Sequence, residues 1–237
     1  MSLHNALSNA LFPQPKIFFI GFNKCGTKSL HHFFRKNRYR SAHCRTRSLK
    51  IFERQWLALL IAENHAHGRP ILAGLRHYQI FSDLSYFTDE RIIEGNAYFK
   101  EFHKEYPSAY FIFNDRPVTK WIQSRINHEK QRGSLLDRHA SALKMSPDAV
   151  IEYWRQAYDT HKSAVTAYFR DNPRFMVFDI EADAPERLTT FLSKDFRLDL
   201  SKWKHLGKTT RRKDKKDSRP AEHADGTKPE YQIGTNT

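Results

Sequence analysis

The run Ile17-Phe18-Phe19-Ile20 leads straight into Gly21-Phe22-Asn23-Lys24-Cys25-Gly26-Thr27-Lys28-Ser29, and a helical pattern starts at Leu30. Few features constrain a fold more than an apolar strand, a glycine turn and a helix in immediate succession. That order aims several backbone N–H groups, and the positive end of the helix dipole, at one spot where an anion can sit. Gly26 lets the backbone approach such a ligand, Lys24 and Lys28 add charge, and Thr27 and Ser29 add hydroxyls in the first helical turn.

The spacing departs from the loop G-x-x-x-x-G-K-[ST] of nucleotide-triphosphate enzymes, which demands Lys and then Ser or Thr directly after the second glycine. Here Gly26 is followed by Thr27, Lys28 and Ser29. A shift of one residue turns a side chain by about 100° around a helix, so Lys28 does not point where the nucleotide lysine would. A second strand-to-helix unit lies downstream. Tyr110-Phe111-Ile112-Phe113 is β-prone, Asn114-Asp115-Arg116-Pro117 is a turn, and Val118, Trp121, Ile122 and Ile126 make the apolar stripe of a helix with Pro117 at its start. An arginine stands at this turn and Ser124 follows on the helix, so a second candidate anion site follows the first in chain order.

The remaining pattern alternates. Strands are expected at about 16–21, 70–74, 109–114 and 174–180, with a short one at 41–44. Helices are expected at about 27–36, 49–65, 89–106, 118–128, 147–170 and 185–194. This predicts a single P-loop-like α/β domain with a central parallel sheet and helices on both faces, and with ligands at the carboxyl edges of the strands. The domain is expected over 1–207, followed by a basic, disordered tail over 208–237.

The order Lys24-x-Gly26-Thr27-x-Ser29 resembles the 5′-phosphosulfate loop of sulfotransferases that use 3′-phosphoadenosine-5′-phosphosulfate, where Lys or Arg, any residue, and Gly-Thr-Thr is usual. The resemblance is to the soluble, bacterial-type members, and Lys28 replaces the second Thr. It implies transfer of a sulfuryl group to an acceptor hydroxyl or amine, without metal, leaving adenosine 3′,5′-bisphosphate. Lys24 would bind the phosphosulfate and neutralise charge on the leaving oxygen, and the segment from Cys25 through Gly26, Thr27 and Lys28 to Ser29 would cradle the 5′-phosphate. Arg116 and Ser124, eight residues apart as in the family, would hold the 3′-phosphate, with Arg125 as the alternative to Arg116. A late basic loop contacts that phosphate in the family, which points to Lys208, although a plain basic tail reads equally well there. For the general base, Asp83 in Phe81-Ser82-Asp83 and His77 in the same segment follow the strand expected at 70–74, and His43 is a third candidate.

Composition bounds what else the chain can be. Its 237 residues suffice for a full α/β core. Two cysteines make neither a disulfide framework nor a zinc site, which suits a reducing, cytoplasmic setting. His31-His32 and His65-x-His67 lack a completing carboxylate or cysteine, so no metal is expected. No run approaches the roughly 18 apolar residues of a membrane span, and no secretory signal is expected. Much of the net charge of +14 lies late, with eight basic and two acidic residues from Lys204 to Arg219. The rest suits a polyanionic nucleotide and an acidic acceptor. Nucleic acid is not expected as a partner, because no recognised binding motif is present. The acceptor stays open between a glycan, a lipid-linked sugar and a small phenol. Two other readings compete: a P-loop kinase or NTPase using ATP and Mg²⁺, with Asp115 as metal ligand, and a non-catalytic basic nucleotide- or nucleic-acid-binding domain.

Overall fold

The computed structural model describes residues 15–47, 54–128 and 134–206. Nine strands are described: β1 Ile17–Phe19, β2 Ser41–His43, β3 Arg45–Arg47, β4 Arg54–Trp56, β5 Ile80–Ser82, β6 Ser85–Phe87, β7 Ile92–Glu94, β8 Tyr110–Asp115 and β9 Phe175–Asp179. The helices are α1 Thr27–Lys36, α2 Leu57–Ala66, α3 Phe99–Glu105, α4 Val118–Ile126, α5 Leu135–Leu143, α6 Pro147–Tyr168 and α7 Pro185–Leu192. The main sheet has the order β4-β3-β2-β5-β1-β8-β9. Its five strands from β2 to β9 pair in parallel, and β3 and β4 extend one edge in antiparallel fashion.

Side chains alternate across this sheet, as the two-residue period of a strand requires. Phe18, Ile20, Phe81, Phe111 and Phe113 enter one core with Ile61 of α2, Phe102 of α3, Trp121 of α4 and Trp154 of α6. Ile17, Phe19, Ile80, Tyr110, Ile112 and Phe178 enter the other, against Leu30, Phe33 and Phe34 of α1 and Leu188 and Leu192 of α7. Both faces are therefore covered, and the strands β1, β8 and β9 read as near-continuous apolar runs.

Several expectations change. No strand forms at 70–74, where the chain makes turns. Ile71, Leu72 and Leu75 still plug the core, and the Asn64 amide donates to the carbonyls of Ile71 and Ala73. The strand of the sheet is β5, further along. The helix expected at 89–106 is instead β7, one tight turn at Gly95–Tyr98 and α3. β7 pairs with β6 in a separate hairpin, Tyr86 opposite Ile93. The expected helix at 49–65 starts only at Leu57, because Arg54–Trp56 pairs with β3. Helix α5 was not expected, although Ser134 and Asp137 form a reciprocal capping box at its start. The tail at 208–237, with Lys208, lies outside the described residues.

Candidate active site

At the carboxyl edge of β1, the chain enters a left-handed conformation at Lys24 (φ 64°) and again at Gly26 (φ 71°), which is the N-cap of α1. Among the described residues no side chain caps this helix, and no acid stands in its first turn. Its leading N–H groups and dipole are thus directed at the loop. Gly21 is required by close approach, since a Cβ there would lie 2.3 Å from the Asn114 carbonyl oxygen.

Three residues of the second strand-to-helix unit hold the loop. The Asn114 amide accepts from Gly21 N–H at 3.0 Å and donates to the Phe22 and Cys25 carbonyls at 3.3 and 2.9 Å. Trp121 Nε1 donates to the Asn23 carbonyl at 2.9 Å. Arg125 Nε donates to Asn23 Oδ1 at 3.0 Å and its Nη2 to Glu94 at 2.6 Å. Arg125 is 1% exposed and its guanidinium lies 4.4 Å from the Trp121 ring centre, so it supports the loop and is not placed to bind a phosphate in the cavity.

The loop opens into a cavity of about 760 Å³. Lys24, Gly26, Thr27, Lys28 and Ser29 line it, together with Arg116 and Ser124. The two anion sites read from the sequence therefore share one space. Arg116 bridges them: its Nη1 donates to the Lys24 carbonyl at 3.1 Å, and its guanidinium pairs with Glu181 at 2.7 Å. Lys120 also pairs with Glu181. Burial alone would raise the Glu181 pKa, but hydrogen bonds from Lys120 and Arg116 outweigh it and hold the carboxyl below its usual range. Lys120, Gln123, Ser124 and Asn127 all line the cavity, a polar stripe at helical spacing along α4 and its C-cap. That spacing is visible in the sequence and would have marked Lys120, Gln123 and Asn127. Lys24 Nζ lies 3.2 Å from His128 Nδ1.

Cys25 is the exception within the loop. Its side chain is fully buried in the core and burial pushes its thiol up to about 12, so only its backbone belongs to the turn.

Of the base candidates, Asp83 and His43 reach the cavity and His77 does not. His77 precedes β5, near Lys16 and Arg40 at the amino edge of the sheet, because the strand begins at Ile80 instead of Pro70. His43 Nε2 stands 3.5 Å from Asp83 Oδ2 and 3.3 Å from Thr27 Oγ1. Ser85 Oγ donates to Asp83 Oδ1 at 2.6 Å, which fixes the carboxylate. A carboxylate and an imidazole thus meet beside the anion loop, where an acceptor proton could be taken. Trp56, Phe87, Leu135 and Arg138 complete another wall that the sequence did not reveal, since they come from three distant segments.

Asp115 does not line this cavity. It accepts from Tyr158 Oη at 2.6 Å and from Lys162 Nζ at 2.6 Å. Among the described residues no group of three or more His, Cys, Asp or Glu is placed to hold a metal ion. No described helix is long and apolar enough to cross a membrane.

Near the end of the described chain, Trp203, His205 and Leu206 also line the cavity. Leu206 N–H donates to Ser29 Oγ at 2.8 Å, so this segment crosses the first turn of α1. Trp203 packs edge-on against Phe33, and its buried Nε1 has no hydrogen-bond partner among the described residues.

Compared with known proteins, residues 16–197 match the family model of the sulfotransferase domain. Among solved structures the chain is similar to a sulfotransferase from Alicyclobacillus acidocaldarius, with 20% identity over 80% of this chain and 86% of that one, and a TM-score of 0.41. No curated protein sequence matches it.

Proposed function

Because this chain belongs to the sulfotransferase domain family over residues 16–197, we propose that its donor is 3′-phosphoadenosine-5′-phosphosulfate and its acceptor a hydroxyl or amine. The observation that carries this reading is the convergence of Lys24, Gly26, Thr27 and Ser29 with Arg116 and Ser124 on one cavity. The donor set fits such a ligand: an uncapped helix N-terminus, a turn too tight for a Cβ at Gly21, and lysine, arginine and hydroxyl groups with no metal-ligating cluster among the described residues.

In this reading the donor supplies an activated sulfuryl group. The N–H groups at the start of α1, with the Thr27 and Ser29 hydroxyls, hold the 5′-phosphate. Arg116 and Ser124 hold the 3′-phosphate, and Lys120 strengthens that side of the cavity. Lys24 neutralises the charge that grows on the leaving phosphate oxygen, the electrostatic task a metal performs in kinases. Asp83, aimed by Ser85 and paired with His43, receives the acceptor proton. The kinase reading asks Asp115 to bind Mg²⁺, but Tyr158 and Lys162 already engage that carboxylate away from the cavity.

The test is calorimetry of the full chain with adenosine 3′,5′-bisphosphate in the presence of a chelator, against ATP with Mg²⁺. Tight binding of the bisphosphate is the expected result. Binding of ATP with Mg²⁺ alone would replace this reading with the kinase one.

A further inference from the structure

The cavity has two walls of different chemistry. One is the anion wall of the loop, α1 and α4. The other is built from Trp56, Phe87, Leu135 and Arg138, which the proposed donor does not use. His43 and Asp83 lie at the seam, because His43 Nε2 is within 3.3 Å of Thr27 Oγ1 and 3.5 Å of Asp83 Oδ2. An acceptor must place its nucleophile at that seam and its body against the second wall.

This wall is preformed. Trp56 ends β4, and its ring is held by the Arg45 guanidinium 4.0 Å from the ring centre and by Tyr86 at 5.3 Å. Phe87 ends β6 and packs on His139 at 4.7 Å. Leu135 and Arg138 lie three residues apart on α5, which places both on one face of the helix. The result is two aromatic surfaces, one aliphatic surface and a permanent cation. A sugar would bring several hydroxyls that each need a partner when buried. Among the described residues the hydroxyl this side offers, that of Ser85, is already given to Asp83.

Resting on the donor reading above, we infer that the acceptor is an aromatic hydroxyl compound that carries an anionic group. Its ring packs with Trp56 and Phe87, its anion faces Arg138, and its hydroxyl meets the Asp83–His43 pair. In the transfer the acceptor oxygen forms a bond to sulfur as the bond from sulfur to the phosphate oxygen breaks. The electron pair of the broken bond stays on that phosphate oxygen beside Lys24, and the hydroxyl proton goes to the Asp83–His43 pair.

The test uses the full chain with labelled 3′-phosphoadenosine-5′-phosphosulfate and four acceptors: 4-hydroxyphenylacetate, its methyl ester, tyramine and a methyl glucoside. A charged hydrogen bond to Arg138 should raise kcat/KM for the acid over the ester by about tenfold or more. Arg138→Gln should close that gap, and Arg138→Glu should reverse the order so that tyramine exceeds the acid. Reversal is a gain that misfolding does not produce. Equal rates for acid and ester in the unaltered protein, preference for the glucoside, or no transfer to any of the four overturns the acceptor assignment. Thermal shift with adenosine 3′,5′-bisphosphate separates the two levels. If the bisphosphate stabilises the protein while the acceptors fail as described, only the acceptor assignment falls. If it gives no shift, the donor reading falls and takes the acceptor assignment with it.

Discussion

Asn114 fastens the loop after β1, accepting from Gly21 N–H at 3.0 Å and donating to the Cys25 carbonyl at 2.9 Å with one side-chain amide. The end of β8 and the turn after β1 are thereby one unit. Asn114→Leu would leave these buried backbone groups without partners, each at about 1–3 kcal/mol. Urea denaturation should show a loss of at least the lower figure, and bisphosphate affinity should fall with it. An unchanged affinity in a folded Asn114→Leu protein would show that the staple does not shape the site.

Arg125 tests the next layer of support. It is buried and pairs with Glu94 at 2.6 Å, and burial raises the Glu94 pKa against the pull of Arg125. Arg125→Met should cost roughly 3–5 kcal/mol, the usual penalty for breaking a buried pair. Adding Glu94→Gln should recover part of it. A group with a raised folded pKa binds more protons in the native state than in the unfolded one, so acidification favours folding at that site. The defect of Arg125→Met should therefore shrink as pH falls towards the range in which Glu94 protonates, measured by chemical denaturation at several pH values.

Arg116 and Ser124 should separate the two phosphates of the proposed ligand. Arg116→Ala and Ser124→Ala are expected to weaken adenosine 3′,5′-bisphosphate by about 1.5–3 and 0.5–1.5 kcal/mol respectively, and adenosine 5′-monophosphate by less. Calorimetry with both ligands gives the answer. Equal losses would move these residues to another role.

Lys24 and Lys28 provide an internal contrast. Charge develops on the leaving oxygen only during transfer, so Lys24→Ala should lower kcat far more than it weakens the bisphosphate product. Lys28 is exposed in the first turn of α1 and should matter mainly for donor binding. Near-normal turnover in Lys24→Ala beside an inactive Lys28→Ala would reassign the transfer lysine.

His31 and His139 predict the acid limit of the fold. Burial holds the imidazoles of both at about 4. Their folded pKa values are depressed, so the unfolded chain takes up protons first. Stability is full above the unfolded value of about 6.5 and drains as pH falls from there towards 4. Replacing His139 with Gln should make the stability profile shallower over that interval by close to one proton. An unchanged slope would show that His139 is protonated in the folded protein.

How much of this was readable depended on whether the deciding contact was local. α1 starts and ends where the sequence pattern places it, because its glycine, its hydroxyls and its apolar face at Leu30, Phe33 and Phe34 all lie within one window. The Ile71-Leu72 pair was misread for the opposite reason. Flanked by Pro70 and Gly74 it has the composition of a buried strand, yet β1 and β2 both pair with Ile80–Ser82, and no local signal ranks the two segments. That slip also carried His77 to the wrong edge of the sheet while leaving Asp83 at the right one. β3, β4 and the β6–β7 hairpin have three residues each, too short for a period to declare itself. The second wall of the cavity was hidden altogether, since Trp56, Phe87 and Arg138 are brought together only by tertiary packing.

The hydrogen bond from Leu206 to Ser29 spans 177 positions. A chain leaving the ribosome makes the Lys24–Ser29 turn early, whereas Glu181, which pairs with Arg116, and Leu206, which bonds Ser29, follow much later. The cavity is thus assembled from segments far apart in the order of synthesis, and a nascent chain holds a bare, basic turn until Leu206 has been made. If the cavity holds the proposed donor, competence to hold it follows the synthesis of Leu206 and not of the turn itself.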